Sequence, residues 1–150
     1  MTDWGVHEID IALYAMQAVA PISVMASGGK LAYPDDASET PDTLQVTYQY
    51  PGFVCVYENR ECNGAKIDGH GYGICFHGSL GTMFLDRAGF EIIPEKTPKG
   101  VNLREPVAEK NSNNHNLAHS RNFLDCLKSR QLPICDIEIG HRSTSVAQLG

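Results

Sequence analysis

Residues 43–57 have the sequence TLQVTYQYPGFVCVY and carry the clearest β-strand signal in the chain. Apolar and polar residues alternate from Thr43 to Tyr50, which is typical of a strand with one buried face. Pro51-Gly52 is a turn pair, and the run from Phe53 to Tyr57 favours a second strand. These residues therefore predict an antiparallel hairpin.

Further strands are predicted after this hairpin and before it. They cover residues 22–27, 72–77, 82–85 and 90–93, whereas 94–114, with three prolines and an Asn/Ser run, is predicted to be an exposed loop. Helices are predicted at three places, about residues 4–19, about 116–129, and from Asp136 onward. This order predicts an α+β fold, with an open, predominantly antiparallel sheet and helices packed on one face.

The predicted helices carry their own signals for ends and for packing faces. Thr2 or Asp3 can cap the first helix, and Pro21 is expected to end it. The apolar side of the second helix is predicted to consist of Leu117, Phe123, Leu124 and Leu127.

Aromatic residues are concentrated in the strands. Tyr48, Tyr50, Phe53 and Tyr57 present more aromatic surface than helices on one side need to cover. An open aromatic face favours a homo-oligomer interface. The alternative is that these side chains simply fill the core.

Composition limits the classes of function. The chain has 150 residues, 42% of them apolar and 20% charged, as expected for one soluble globular domain. Its net charge of −6, with no basic block, argues against nucleic-acid or anionic-membrane binding. No apolar run approaches the roughly 20 residues of a membrane span. The five cysteines are widely spaced without a CxxC pair, which favours unpaired thiols in a reducing compartment.

The chain ends also carry a prediction. A helical pattern begins within the first few residues, and another stops at residue 150. We expect a piece of a longer protein, so the missing signal peptide says little about its parent. A cytoplasmic location is expected, with export of the parent left open.

The strongest chemical signal is DWGVHEID, residues 3–10. Asp3 and His7 are four residues apart and share a helix face, which Asp10 and Tyr14 continue. A carboxylate beside an imidazole makes an acid/base unit that works near pH 7. Gly5 costs the helix about 1 kcal/mol, and its benefit would be room for a ligand. The alternative is a helix capped by Asp3, with a solvated His7.

Four segments in order resemble one known protein domain. The D-x-G-x-H-x-x-D pattern at residues 3–10 resembles the motif that opens the second domain of the glucose-fructose oxidoreductase / inositol dehydrogenase (Gfo/Idh/MocA) family. Gly78–Thr82 is similar to the G-x-x-G-T hairpin of that domain, and His119–Cys126 to its H-x-x-N-F-x-D helix. Pro133–Ser143 is similar to the start of its closing helix.

This resemblance implies a substrate-binding and oligomerisation domain of an NAD(P)-dependent oxidoreductase that acts on a sugar, cyclitol or related carbohydrate. It implies that His7 is the acid/base residue and that Asp3 is its partner. Candidate substrate contacts are Trp4, Asn116 and His119.

The same resemblance implies what this chain does not contain. The Gly-rich dinucleotide loop and the segment with the catalytic lysine belong to the family's first, Rossmann domain. We therefore expect residues 1–150 to be a single C-terminal-type domain that is inactive alone. The parent would use NAD or NADP, and no cofactor is expected on this chain by itself.

Two alternatives stay open. One is a non-catalytic module that dimerises through its sheet or binds a carbohydrate. The other is a metal-dependent hydrolase built on His115 and His119, which are one helical turn apart but lack a third ligand nearby in the sequence. The glycines of Gly69–Gly73 lead into a predicted strand, which indicates a bend and not a phosphate-binding loop.

Overall fold

A computed structural model describes residues 2–150 and shows two open antiparallel sheets with three helices in that range. Its elements are α1 (Trp4–Met16), β1 (Ser23–Gly29), β2 (Thr43–Tyr50), β3 (Phe53–Arg60), β4 (Ile74–Gly78), β5 (Gly81–Asp86), β6 (Gly89–Pro94), β7 (Val107–Lys110), α2 (His115–Ser129) and α3 (Ile137–Leu149). One sheet has the order β1-β2-β3 and the other β4-β5-β6-β7. The predicted α+β class, with open antiparallel sheets, is confirmed.

The chain divides into two compact units. The first unit runs up to Ala65 and resumes at Ile134–Gly150, so it contains α1, β1-β2-β3 and α3. The second unit is Lys66–Pro133 and contains β4-β5-β6-β7 and α2.

The core of the first unit lies between its sheet and its two helices. Alternate residues of β2 point into it, and Val46 and Tyr48 are 0% exposed. The other buried apolar members come from β2, α1 and α3, namely Leu44, Tyr50, Ile9, Leu13, Val146 and Ala147. Phe53 and Tyr57 are partly buried and pack against this core, so the aromatic side chains of the hairpin face it and do not form an open aromatic face.

The opposite face of this sheet has a different composition. Cross-strand pairing places Met25 beside Thr47, and Thr47 beside Val56. Met25 is 72% exposed, Val54 60% and Val56 65%. The open face therefore carries aliphatic side chains interspersed with polar ones.

Helix α1 is shorter than predicted. It ends at Met16, because Gln17 adopts the left-handed conformation and the amide of Ala18 donates to the Leu13 carbonyl at 2.9 Å. The prediction that Pro21 ends this helix is therefore wrong. The predicted cap is also wrong, since Asp3 occupies the N-cap position without a side-chain cap hydrogen bond.

Asp42 anchors the loop before β2. Its buried carboxylate accepts hydrogen bonds from the amides of Leu31, Ala32 and Tyr33 at 2.9–3.1 Å and from the Thr43 hydroxyl at 2.8 Å. These donors, the Tyr33 amide above all, hold the pKa of Asp42 below its ordinary value. The carboxylate therefore takes the place of regular secondary structure in ordering this loop.

The second unit corrects one prediction about a loop. Residues 94–114 are not loop throughout, because Val107–Lys110 forms β7 and pairs with β6. The predicted G-x-x-G-T hairpin is confirmed, since Gly78 pairs with Gly81 at the β4-β5 turn. Phe84 of β5 is the buried side chain at the middle of this sheet.

The two later helices have clear caps. Asn114 caps α2 by accepting from the Leu117 amide at 3.1 Å. As predicted, Asp136 caps α3, and it accepts from the amides of Glu138 and Ile139. Helix α2 buries none of its residues, so its predicted apolar side, Leu117, Phe123, Leu124 and Leu127, is exposed.

All five cysteines are unpaired. Among residues 2–150, none of the helices combines the length and the apolar character that crossing a bilayer requires.

Candidate site at the start of α1

The first two turns of α1 bring three of the predicted site residues together. Asp3, Trp4 and His7 are all exposed, and the rings of Trp4 and His7 meet edge to face with centroids 6.3 Å apart. No hydrogen bond or ion pair joins Asp3 to His7 within residues 2–150. The imidazole is therefore accessible to a ligand, and its pairing with Asp3 stays a prediction.

Gly5 has a structural role that the sequence did not reveal. It is buried, and a Cβ added to it would lie 2.8 Å from Cε2 and 2.9 Å from Oη of Tyr57. Tyr57 lies on β3, on the core-facing side of the strand. The space that the missing side chain leaves beside α1 is thus filled by this ring. The interpretation of Gly5 as room for a ligand is wrong on this side of the helix.

The phenol of Tyr57 lies in an acidic surrounding. Burial raises its pKa above the ordinary value, and the nearby carboxylates of Glu8 and Glu61 raise it further. The hydroxyl is therefore neutral at physiological pH and keeps its proton for hydrogen bonding.

Asp10 does not continue the polar stripe of Asp3 and His7 as a solvent-facing residue. Ser143 of α3, which is buried, donates its hydroxyl to Asp10 Oδ1 and also lies 3.1 Å from the Ile139 carbonyl oxygen. The carboxylate therefore links α1 to α3. Tyr14, the last residue of the predicted stripe, is exposed.

Sequence reasoning missed Tyr57 and Ser143 as neighbours of this motif. Alternation along β3 identifies the face on which Tyr57 lies, but not the glycine that it contacts. Ser143 lies in the segment similar to the family's closing helix, where nothing local marks its partner 133 residues earlier.

The remaining candidates lie on α2, in the second unit. Asn116 and His119 are exposed along this helix. His115 Nε2 contacts the Asn111 side-chain amide, which also donates to the Arg87 carbonyl at 3.0 Å. Over the described range, 2–150, no three His, Cys, Asp or Glu side chains are grouped to hold a metal ion. The His115/His119 pair therefore has no third ligand in this structure.

The residues described here do not fit a dinucleotide. Such a cofactor is usually held where a Gly-rich turn joins a strand to the N-terminus of a helix. Gly69 instead lies in a tight turn, in which Ile67 and His70 exchange two backbone hydrogen bonds, and residues 71–73 lead from this turn into β4. This segment therefore lacks the arrangement that holds the pyrophosphate of a dinucleotide.

Comparisons with known proteins give the fold a context. No protein-family model and no curated protein matches the chain. The structure is similar to yvaA from Bacillus subtilis, a protein assigned as an oxidoreductase, with a TM-score of 0.68 and 16% identity over 98% of this chain and 48% of that one.

Two further solved structures match across the same span. An assigned oxidoreductase from Klebsiella pneumoniae has a TM-score of 0.61 and 17% identity, over 98% of this chain and 44% of its own. The WlbA dehydrogenase from Bordetella pertussis, solved with NADH and UDP-GlcNAcA, has a TM-score of 0.57 and 16% identity, over 98% and 40%. The chain thus spans somewhat less than half of each protein. It has a fold found within these oxidoreductases, consistent with its resemblance to the second domain of the Gfo/Idh/MocA family.

Proposed function

We propose that this chain is the substrate-binding and oligomerisation domain of an NAD(P)-dependent oxidoreductase acting on a sugar, cyclitol or related carbohydrate. The observation that carries the proposal is the exposed His7, set beside Trp4 at the start of α1 in a fold shared with part of several oxidoreductases. The WlbA dehydrogenase, which was solved with NADH and a UDP-sugar, supports this cofactor and substrate class for the parent.

His7 is the proposed acid/base residue. Oxidation of an alcohol carbon removes a proton from its hydroxyl, and an accessible imidazole is suited to take that proton near pH 7. Asp3, one turn earlier, is the proposed partner that orients the ring once a substrate is bound. Trp4 offers an exposed aromatic surface to the apolar side of a sugar ring.

The proposed function also involves groups outside α1. Asn116 and His119 are proposed as polar substrate contacts from α2. The dinucleotide would bind outside this chain, so the chain by itself is proposed to be inactive. A cytoplasmic location is also proposed, and five unpaired cysteines are compatible with a reducing compartment.

The test uses the full-length gene product that contains this chain. NAD(P)H formation is measured with a panel of sugars, cyclitols and UDP-sugars, and dinucleotide affinity is measured separately. His7→Ala should lower turnover by about 100- to 10,000-fold, because a general base is removed, while dinucleotide affinity stays. His141→Ala is the matched control, since His141 is exposed on α3. Unchanged turnover in His7→Ala would remove this residue from the mechanism.

A second candidate is a non-catalytic module that assembles through its sheet. The observation that favours it is the exposed aliphatic face of β1 and β3, which includes Met25, Val54 and Val56. Val56→Lys should shift the protein towards monomer in analytical ultracentrifugation, whereas Gln45→Lys on the polar part of that face should not. An unchanged sedimentation coefficient in Val56→Lys would exclude this face as the interface.

A further inference from the structure

The start of α1 lacks a side-chain cap. Asp3 lies at the N-cap with φ −91° and ψ −87°, and its side chain makes no cap hydrogen bond. The first turn also contains no acidic residue that would favour the positive end of the helix. A helix start of this kind depends on contacts from elsewhere in the fold for a fixed position.

Tyr57 supplies such a contact. Three atoms of its side chain, Cε2, Cζ and Oη, lie 2.8–2.9 Å from the position that a Cβ of Gly5 would occupy. The ring therefore lies directly against the backbone of the first turn. Tyr57 is paired across the sheet with Val46, which is fully buried, so the ring stands on a rigid part of the first unit.

We infer that Tyr57 is a positioning residue for His7, because its ring, packed on the bare backbone of Gly5, fixes the first turn of α1 and with it the place of the imidazole. His7 follows Gly5 by two residues, so any rotation or fraying of this turn moves both Trp4 and His7. The inference rests on the proposed role of His7 for its functional meaning, but the placement can be measured without turnover.

Trp4 is a built-in reporter of this placement. It is the single tryptophan of the chain, and its ring lies 6.3 Å from that of His7. A protonated imidazole quenches indole emission only at short range. Carboxylates titrate near pH 4 and phenols near pH 10, but thiols and the α-amino group titrate between them, at about pH 8, so a step is assigned to His7 only where His7→Ala removes it. Wild-type protein should show a step that His7→Ala abolishes.

The decisive comparison is between two substitutions of Tyr57. Tyr57→Phe keeps the ring on Gly5 and should keep the emission step. Tyr57→Leu removes the ring and should lose the step while circular dichroism shows a folded protein. If Tyr57→Leu does not fold, Gly5→Ala displaces the ring from the helix side and should alter the step in the same way.

Three outcomes would overturn the inference. They are a folded Tyr57→Leu protein with the wild-type step, a Tyr57→Phe protein without it, and a step that survives His7→Ala. The turnover of His7→Ala in the full-length protein tests the proposed function separately. A chain can hold the imidazole in place through Tyr57 whether or not that imidazole accepts a proton from a substrate.

Discussion

Replacing Gly5 by alanine should destabilise the protein, although this change usually stabilises a helix. Helix propensity favours alanine over glycine by about 1 kcal/mol. At Gly5, however, the new Cβ would lie 2.8 Å from Tyr57 Cε2, which is too close for two carbon atoms. Overpacking of this kind costs about 1–3 kcal/mol, so we expect a net loss of up to about 2 kcal/mol.

Gly140 is the matched control, because it is also a helical glycine. It lies in α3, and nothing is within 4 Å of the position that its Cβ would occupy. Gly140→Ala should therefore show the propensity gain alone, about 1 kcal/mol of stabilisation. The two variants should differ by the overpacking cost, or roughly 2–12 °C in Tm at 2–4 °C per kcal/mol.

Thermal melts and urea titrations of the two variants show whether Gly5→Ala destabilises the protein while Gly140→Ala stabilises it. A double variant isolates the contact, since Gly5→Ala should become neutral or stabilising in a Tyr57→Leu background. If Gly5→Ala raises Tm as much as Gly140→Ala does, the ring does not press on this turn. The Gly5–Tyr57 contact would then not explain the glycine, and room for a ligand would be the better explanation.

Three other predictions concern the framework of the first unit. Asp42→Asn should lower Tm at pH 7, but its gap to the wild type should close as pH falls below about 4, because a depressed carboxyl pKa stabilises only while the group is ionised. Val46→Ala should cost about 1.5–3 kcal/mol in urea unfolding, since this side chain is fully buried. Burial raises the pKa of Tyr48 to about 12, so stability should fall as pH rises above about 10, and Tyr48→Phe should make this fall shallower by up to about 1.4 kcal/mol per pH unit.

Local sequence patterns were sufficient to predict an element when its periodicity and its turn or cap lie within the element itself. The hairpin of residues 43–57 is confirmed, because alternation and the Pro51-Gly52 turn both lie within it. Asp136 as the cap of α3 is confirmed for the same reason, since a cap acts on amides two and three residues ahead.

Two features that carry no signal in their own sequence were not predictable in this way. Strand β7 has four exposed residues and no alternation, and it exists because β6 offers it an edge. Helix α1 ends before Pro21 because Gln17 adopts a left-handed conformation, for which its residue type gives little signal. For β7 the deciding partner lies outside the segment, and for α1 the deciding backbone conformation at Gln17 is not marked by its residue type.

The same distinction divides the motif at the start of α1. The sequence placed Asp3, Gly5, His7 and Asp10 together as one chemical signal, because all four recur in the resemblance. In the fold they separate by helix face, since Gly5 contacts Tyr57 and Asp10 accepts from Ser143, whereas Asp3 and His7 are exposed. Two members of the motif thus hold the helix, and the other two stay exposed to solvent. A role suggested by a similar motif therefore has to be argued for each residue separately, because a shared spacing does not give all members of the motif the same role.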